Sequence, residues 1–225
     1  MLKQLPVHML WVSGELSRLA RLSLASFLAN GYRVTLWSYD PDHLRPDFAD
    51  VQDASTLLPM SAEDTTNMAY LTSLFRYRVL AEQGGIWADL DVVALTDDPK
   101  IAARPLIASD KRRPFRHAEP TATGESLTQV TNCFLANPSP RPGDLWHRAV
   151  DRVAALNPED RNWENVGPHM LSGLMLRQPD DDIDILPGGD RGTVVALIAR
   201  LGRGPGRALE GLGEDPRGAR LADTA

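Results

Sequence analysis

A single cysteine, Cys133, stands among 225 residues, so no intrachain disulfide framework exists and a reducing compartment, by default the cytoplasm, is expected. Nowhere does an apolar run approach the roughly 18 residues needed to span a bilayer, and no opening segment reads as a signal peptide. Lys and Arg (24) fall short of Asp and Glu (30), giving a net charge of −6 with no basic block. Nucleic acid and anionic membrane surfaces are therefore poor candidates as main partners. There is no G-x-G-x-x-G and no Walker loop, which removes support for a dinucleotide or P-loop site. The five histidines, His8, His43, His117, His147 and His169, are scattered and show no metal-ligand spacing.

What is present is an ordinary globular composition, 43% hydrophobic and 24% charged, long enough for one sizeable core. Residues 5–12 read as a first strand. Leu16, Leu19, Ala20, Ser23, Leu24, Phe27 and Leu28 then share one helical face, with Asn30-Gly31 as the C-terminal cap. Residues 33–39 are β-branched and aromatic and complete a strand, helix, strand unit. Such a unit favours a parallel, Rossmann-like α/β sheet.

Residues 64–83 carry Leu71, Leu74, Phe75 and Val79 at helical spacing, and Gly84-Gly85 supplies a left-handed stop. Residues 86–95 read as a strand. Its period of two places Ile86, Ala88, Leu90 and Val92 on one face and Trp87, Asp89, Asp91 and Val93 on the other. With Cα atoms about 6.6 Å apart, two ionised carboxylates there would repel by about 2.5 kcal/mol at an effective dielectric of 20. Asp is also disfavoured in strands. A divalent cation with oxygen ligands at Asp89 and Asp91 offsets that cost economically, and a solvated strand face near a sheet edge is the alternative.

Farther along, residues 41–50 read as a loop and residues 51–60 as a connector. A short strand is expected at 106–109, and a polar loop over 110–125 carries Lys111, Arg112, Arg113, Arg116 and His117. That loop either touches phosphates or is simply solvated. Residues 129–136 are strand-like, and Cys133 within them reads as a buried structural thiol rather than a nucleophile. Residues 144–156 look helical. Gly167-Pro168-His169 opens another helix through Leu176, with amides free to meet an anion, and a last strand is expected at 183–186.

The string Phe75-Arg76-Tyr77-Arg78-Val79-Leu80 followed by Gly84-Gly85-Ile86-Trp87-Ala88-Asp89-Leu90-Asp91-Val92 closely resembles the R-Y-x-x-L-x-x-x-G-G-[IV]-[YW]-x-D-x-D signature of DXD-type sugar-binding glycosyltransferases. That group includes capsular-polysaccharide and mannan-chain enzymes and, more distantly, the large glucosylating toxins. The resemblance covers roughly residues 5–187. It implies a single α/β nucleotide-sugar-binding domain of the GT-A type, a central mixed sheet flanked by helices, at 1–187. Its activity would be transfer of a hexose from a UDP- or GDP-linked donor to a carbohydrate or related acceptor, with retention of anomeric configuration.

Residue by residue, the resemblance makes Asp89 and Asp91 the holders of Mn²⁺ or Mg²⁺. Arg76 is the contact to sugar and phosphate, whose planar fork suits oxygens, and it shares a helix side with Ser73. Trp11 would stack on the nucleotide base or else fill the strand interior, while Ser13 and Gly14 admit backbone approach. Asn132 falls where the family has a sugar contact, and His169 would line the acceptor pocket or simply pack. The chain departs from the pattern at Thr72-Ser73, where Ser-Asp is usual, so the helical carboxylate for donor hydroxyls is missing.

Residues 188–225 form a divergent tail. The stretch from Pro187 holds nine of the 17 glycines and six arginines, and reads as largely disordered. Two alternative functions remain open: an inactive domain that binds nucleotide sugar or a partner, and a phosphatase of the haloacid dehalogenase type. The phosphatase pattern D-x-D-x-[TV] fits Asp89 to Val93 but normally follows a first strand.

Overall fold

The computed structural model describes residues 5–44, 49–61, 67–95, 103–114, 128–177 and 183–186. β1 (Val7–Leu10), α1 (Arg18–Ala29) and β2 (Val34–Ser38) form the expected parallel unit, with Val7 opposite Val34 and Leu10 opposite Trp37. The Ser17 hydroxyl caps α1 by accepting from the Ala20 amide at 3.1 Å. At its far end Gly31 takes φ +78°, the left-handed conformation that a C-terminal stop requires. α1 buries Ala20, Ser23, Leu24 and Phe27. Leu19, expected on that face, is half exposed together with Leu22, because the helix rests on the sheet along a narrower stripe than the apolar pattern spans.

β3 (Asp50–Asp53) adds to β2 in parallel where a loop end and connector were expected; its exposed alternate residues gave no apolar run to read. α2 (Met68–Glu82) begins at Asn67, whose side chain accepts from the Tyr70 amide. Residues 62–66, including the expected helix start at Asp64, lie outside the described residues. α2 is buried on nearly every side, from Tyr70 and Leu71 through Phe75 and Tyr77 to Leu80, so its apolar residues do not segregate to one face. Gly84 (φ +71°) and Gly85 (φ +90°) turn the chain directly into β4 (Gly85–Ala88).

β5 (Leu106–Pro114) and β6 (Thr128–Asn137) form an antiparallel pair, so the expected strand at 106–109 runs on through Lys111, Arg112 and Arg113. Those residues fall in the register shift between the paired Asp110 and Pro114, and Arg116 and His117 lie outside the described residues. α3 (Leu145–Ala154), a short α4 (Trp163–Val166) and α5 (Pro168–Arg177) lead to β7 (Asp184–Leu186). Asp144 caps α3, accepting from the amides of Trp146 and His147 at 3.0 Å each. The tail at 188–225 lies outside the described residues.

The seven strands form one mixed sheet in the order β3-β2-β1-β4-β6-β5-β7, parallel from β3 to β4, antiparallel at β4-β6 and β6-β5, and parallel again at β5-β7. Helices α2, α3 and α5 cover one face, packing Phe75, Tyr77, Trp146 and Leu171 with Trp37, Trp87 and Leu135 of the strands. α1 covers the other, over Val7, Met9, Leu36, Ile86, Ala88 and Phe134. Sheet residues therefore alternate between two cores, as Ile86 and Trp87 show. Buried in the middle, His8 accepts from the Trp37 indole nitrogen at 3.2 Å through Nδ1, which leaves its proton on Nε2, and burial holds its pKa down at about 4. No described helix is long and apolar enough to cross a membrane.

Candidate functional site

Order along the sheet decides where ligand chemistry can occur. From β1 the chain steps outward to β2 and β3, then returns across β1 to place β4 on its other side. The carboxyl ends of β1 and β4 thus flank a topological switch point, the place where open α/β sheets leave a crevice. Trp11, Ser13 and Gly14 follow β1 at this edge, and Asp89 to Asp91 follow β4.

β4 ends at Ala88, earlier than the expected strand over 86–95. Asp89 leaves the ladder and Leu90-Asp91 form a turn, closed by the Val92 amide donating to the Asp89 carbonyl at 3.0 Å. The two carboxylates therefore do not share a strand face, and the repulsion reckoned for an extended chain does not apply. Poor strand propensity of Asp is the physical reason the strand stops there. The expected alternation survives up to that point, Trp87 facing α2 and Ile86 and Ala88 facing the α1 side.

Asp89 is held from three directions. Its amide donates to the Cys133 carbonyl at 2.9 Å. Its Oδ1 accepts from the Trp87 indole nitrogen at 2.8 Å and lies 3.3 Å from Arg76 Nη2. The side chain keeps 29% of its exposure, and Oδ2 has no partner among the described residues. Desolvation raises the Asp89 carboxyl above its ordinary range; the Arg76 charge and the Trp87 hydrogen bond work against that, and Asp91 reinforces it. Asp91 itself is exposed on the turn.

Arg76 is 7% exposed and its guanidinium faces inward. Nη1 donates to the Asn132 carbonyl at 2.6 Å, Nε reaches the Thr72 carbonyl at 3.4 Å, and the group lies 5.3 Å above the Trp87 ring. Ser73 is buried beside it, at 3% exposure. On β6 the pairing with β5 slips: Ile107 opposes Leu135 but Ser109 opposes Val130, so two steps along β5 match five along β6. Residues 131–134 of β6 stand against the single Ala108 of β5 and form a bulge, a device that re-aims backbone beside sites. Its carbonyls at 132 and 133 are the two that receive Arg76 and the Asp89 amide.

The bulge also places the Asn132 side chain near Tyr77 and Gly167; a Cβ built on Gly167 would sit 3.4 Å from its amide nitrogen. Cys133 is half-buried, with its sulfur 3.3 Å from the Thr131 hydroxyl, and burial pushes the thiol up to about 11. A protonated thiol suits the structural role expected of it. Trp11 is half-buried, and its indole N–H donates to the Gly14 carbonyl at 3.0 Å. Gly14 has φ +76° with open space where a side chain would stand, so the backbone is exposed there. His169 lies elsewhere, on α5 beside the exposed Trp163, with ring centres 6.5 Å apart. Spacing did not reveal Trp87 as a partner of Asp89, although their two-residue separation put both on one strand face.

Among the described residues no group of three or more His, Cys, Asp or Glu side chains gathers as a ready-made metal cage. Fold and site together define a mixed α/β protein with an acidic turn at the switch point of its sheet. The fold is similar to a solved structure described as PaToxG Glycosyltransferase, with a TM-score of 0.54 and 14% identity, covering 78% of this chain and 70% of that one. No family model and no curated protein matches the chain.

Proposed function

We propose that the protein is a metal-dependent glycosyltransferase of the GT-A type. It moves a hexose from a UDP- or GDP-linked donor to a carbohydrate or related acceptor, with retention of anomeric configuration. The observation that carries this reading is the Asp89–Asp91 turn at the carboxyl end of β4, beside the end of β1, in a fold similar to that of a solved glycosyltransferase.

The donor set fits Mn²⁺ or Mg²⁺. Asp89 offers an Oδ2 with no partner among the described residues and Asp91 an exposed carboxylate two residues on, and such ions are held by one or two carboxylates with substrate phosphates and water completing the shell. When bound, the cation neutralises charge developing on the diphosphate as the glycosidic bond breaks. Arg76 adds fixed positive charge behind the turn, in a partly dehydrated setting where such charge acts strongly. Trp11, its N–H already satisfied, offers a ring face for the base, and the exposed backbone at Ser13 and Gly14 can meet the ribose or phosphates. Asn132, half-buried, would take the sugar contact on this reading, while Ser73, at 3% exposure, has almost no surface to offer. No residue is assigned as a covalent nucleophile.

A second reading, a nucleotide-sugar-binding domain without turnover, draws on Ser73. It is buried in place of the helical carboxylate and can supply a hydrogen bond but no charge. The phosphatase reading gains nothing, since Asp89 follows the fourth strand rather than the first.

A panel of UDP- and GDP-sugars, each with Mn²⁺ and with chelator, separates these. Metal-dependent release of one nucleotide is the expected result. Binding without release in the presence of varied acceptors would establish the second reading, and failure of every donor to bind would overturn both.

A further inference from the structure

Arg76 is the most heavily engaged polar side chain near the site, and every contact it makes points inward. Its three kinds of nitrogen reach the Thr72 carbonyl, the Asn132 carbonyl and Asp89 Oδ1, while its face covers Trp87. At 7% exposure it has little surface left for a donor. Asp89 Oδ1 is doubly engaged, by Arg76 and by the Trp87 indole, whereas Oδ2 has no partner among the described residues. An ion pair and a hydrogen bond on one oxygen, together with the Asp89 amide tied to Cys133, constrain the direction of the carboxylate.

We propose that Arg76 and Trp87 are positioning residues: they grip Oδ1 of Asp89 from within, so that Oδ2 is presented outward to a divalent cation, and Arg76 does not itself touch the donor. The inference rests on the reading of Asp89 and Asp91 as the cation site. It departs from the expectation that Arg76 meets phosphate and sugar directly. The physical warrant is that partners on the far oxygen of a ligating carboxylate fix its direction, and that losing such a partner weakens metal affinity even though no ligand is removed. Arg suits this place better than Lys because one planar group spans two backbone carbonyls and a carboxylate at once.

The test is Mn²⁺ affinity of the protein without nucleotide, read by electron paramagnetic resonance of the free ion. It is paired with UDP and GDP affinity in chelator and thermal melting of each variant. Arg76→Met is expected to weaken Mn²⁺ binding by roughly 10- to 100-fold, with Arg76→Lys between it and the wild type. Nucleotide affinity in chelator should stay where it was. Trp87→Phe, which removes the indole donor without changing charge, is expected to shift Mn²⁺ affinity in the same direction. It decides the matter if Arg76→Met does not fold.

Loss of nucleotide affinity in chelator with Mn²⁺ binding intact in Arg76→Met would show a direct donor contact and overturn the inference. Tighter Mn²⁺ binding in that variant would overturn it as well, since the guanidinium would then be only a competing charge. Unchanged Mn²⁺ affinity in Trp87→Phe would do the same. If the wild-type protein binds no Mn²⁺, the cation-site reading itself is wrong, a failure distinguishable from the others because it precedes any substitution.

Discussion

Arg76 Nη1 donates to the main-chain oxygen of Asn132 at 2.6 Å across 56 residues of chain, fastening the β6 bulge to α2. The neighbouring carbonyl, that of Cys133, receives the amide of Asp89. Helix, bulge and acidic turn are thereby a single bonded unit, and substitutions at its members should differ sharply in what they disturb.

Asp91 is exposed and Asp89 is not, which separates function from stability. Asp91→Ala should change stability by no more than about 0.5 kcal/mol yet abolish Mn²⁺-dependent donor binding. Asp89→Ala should abolish the same binding and also cost on the order of 1–3 kcal/mol, because Arg76, 7% exposed, loses its carboxylate partner. Calorimetric donor titration beside urea unfolding checks both. Metal-dependent binding that survives in Asp91→Ala would sink the proposed cation site.

Gly84 and Gly85 do two jobs, and only glycine does both. Both have positive φ, and a Cβ at Gly84 would lie 2.7 Å from the Asn137 carbonyl oxygen, one at Gly85 2.6 Å from that of Pro6. Those neighbours are backbone of the sheet and cannot give way. Gly84→Ala and Gly85→Ala should each destabilise by roughly 2 kcal/mol or more, and denaturant midpoints will show it.

His8 predicts an acid limb. Burial lowers its pKa from 6.5 to about 4, so between those values the unfolded chain takes up a proton that the native protein refuses. Stability from this group is present above about 6.5, falls with falling pH, and its loss approaches about 3 kcal/mol once pH is below 4. His8→Gln should show a flatter dependence of unfolding free energy on pH over that window, whatever its absolute stability. Parallel curves for the two proteins would contradict the assignment.

Cys133 is half-buried but should behave as an unreactive thiol. With its pKa pushed up to about 11, the thiolate fraction at pH 7.5 is on the order of 10⁻³ to 10⁻⁴. Iodoacetamide labelling, followed by mass spectrometry, should be slow there and accelerate steadily up to pH 10. Rapid labelling at neutral pH would show that the β6 bulge opens.

Much of this was legible in the chain. Periodicity of 3.6 marked α1, the Gly84-Gly85 pair marked the end of α2, an apolar run marked β1, a β-branched and aromatic run marked β2, and a strand-like segment marked β6, because these signals arise from backbone sterics and burial within one segment. The acidic pair Asp89 and Asp91 was visible as charge inside an apolar run. Its geometry was misjudged, since local pattern carried the strand to residue 95 while the ladder stops at Ala88. β3 went unseen: strand status there is conferred by β2, not by any apolar pattern of its own.

Arg76 was singled out by the family resemblance, but sequence spacing tells only that it shares a helix side with Ser73. Its direction, inward to Asn132 and Asp89 rather than outward, depends on a bulge in β6 and on the strand order that sets β4 between β1 and β6. The sequence by itself determined the elements that carry their own periodicity or caps, α1, the end of α2 and the strands β1, β2 and β6 among them, because those signals are properties of neighbours along the chain. Only the tertiary structure decided that the ends of β1 and β4 meet at a switch point, and that Arg76 and the Cys133 carbonyl hold Asp89 in place, because those facts are set by contacts between separate elements of the fold.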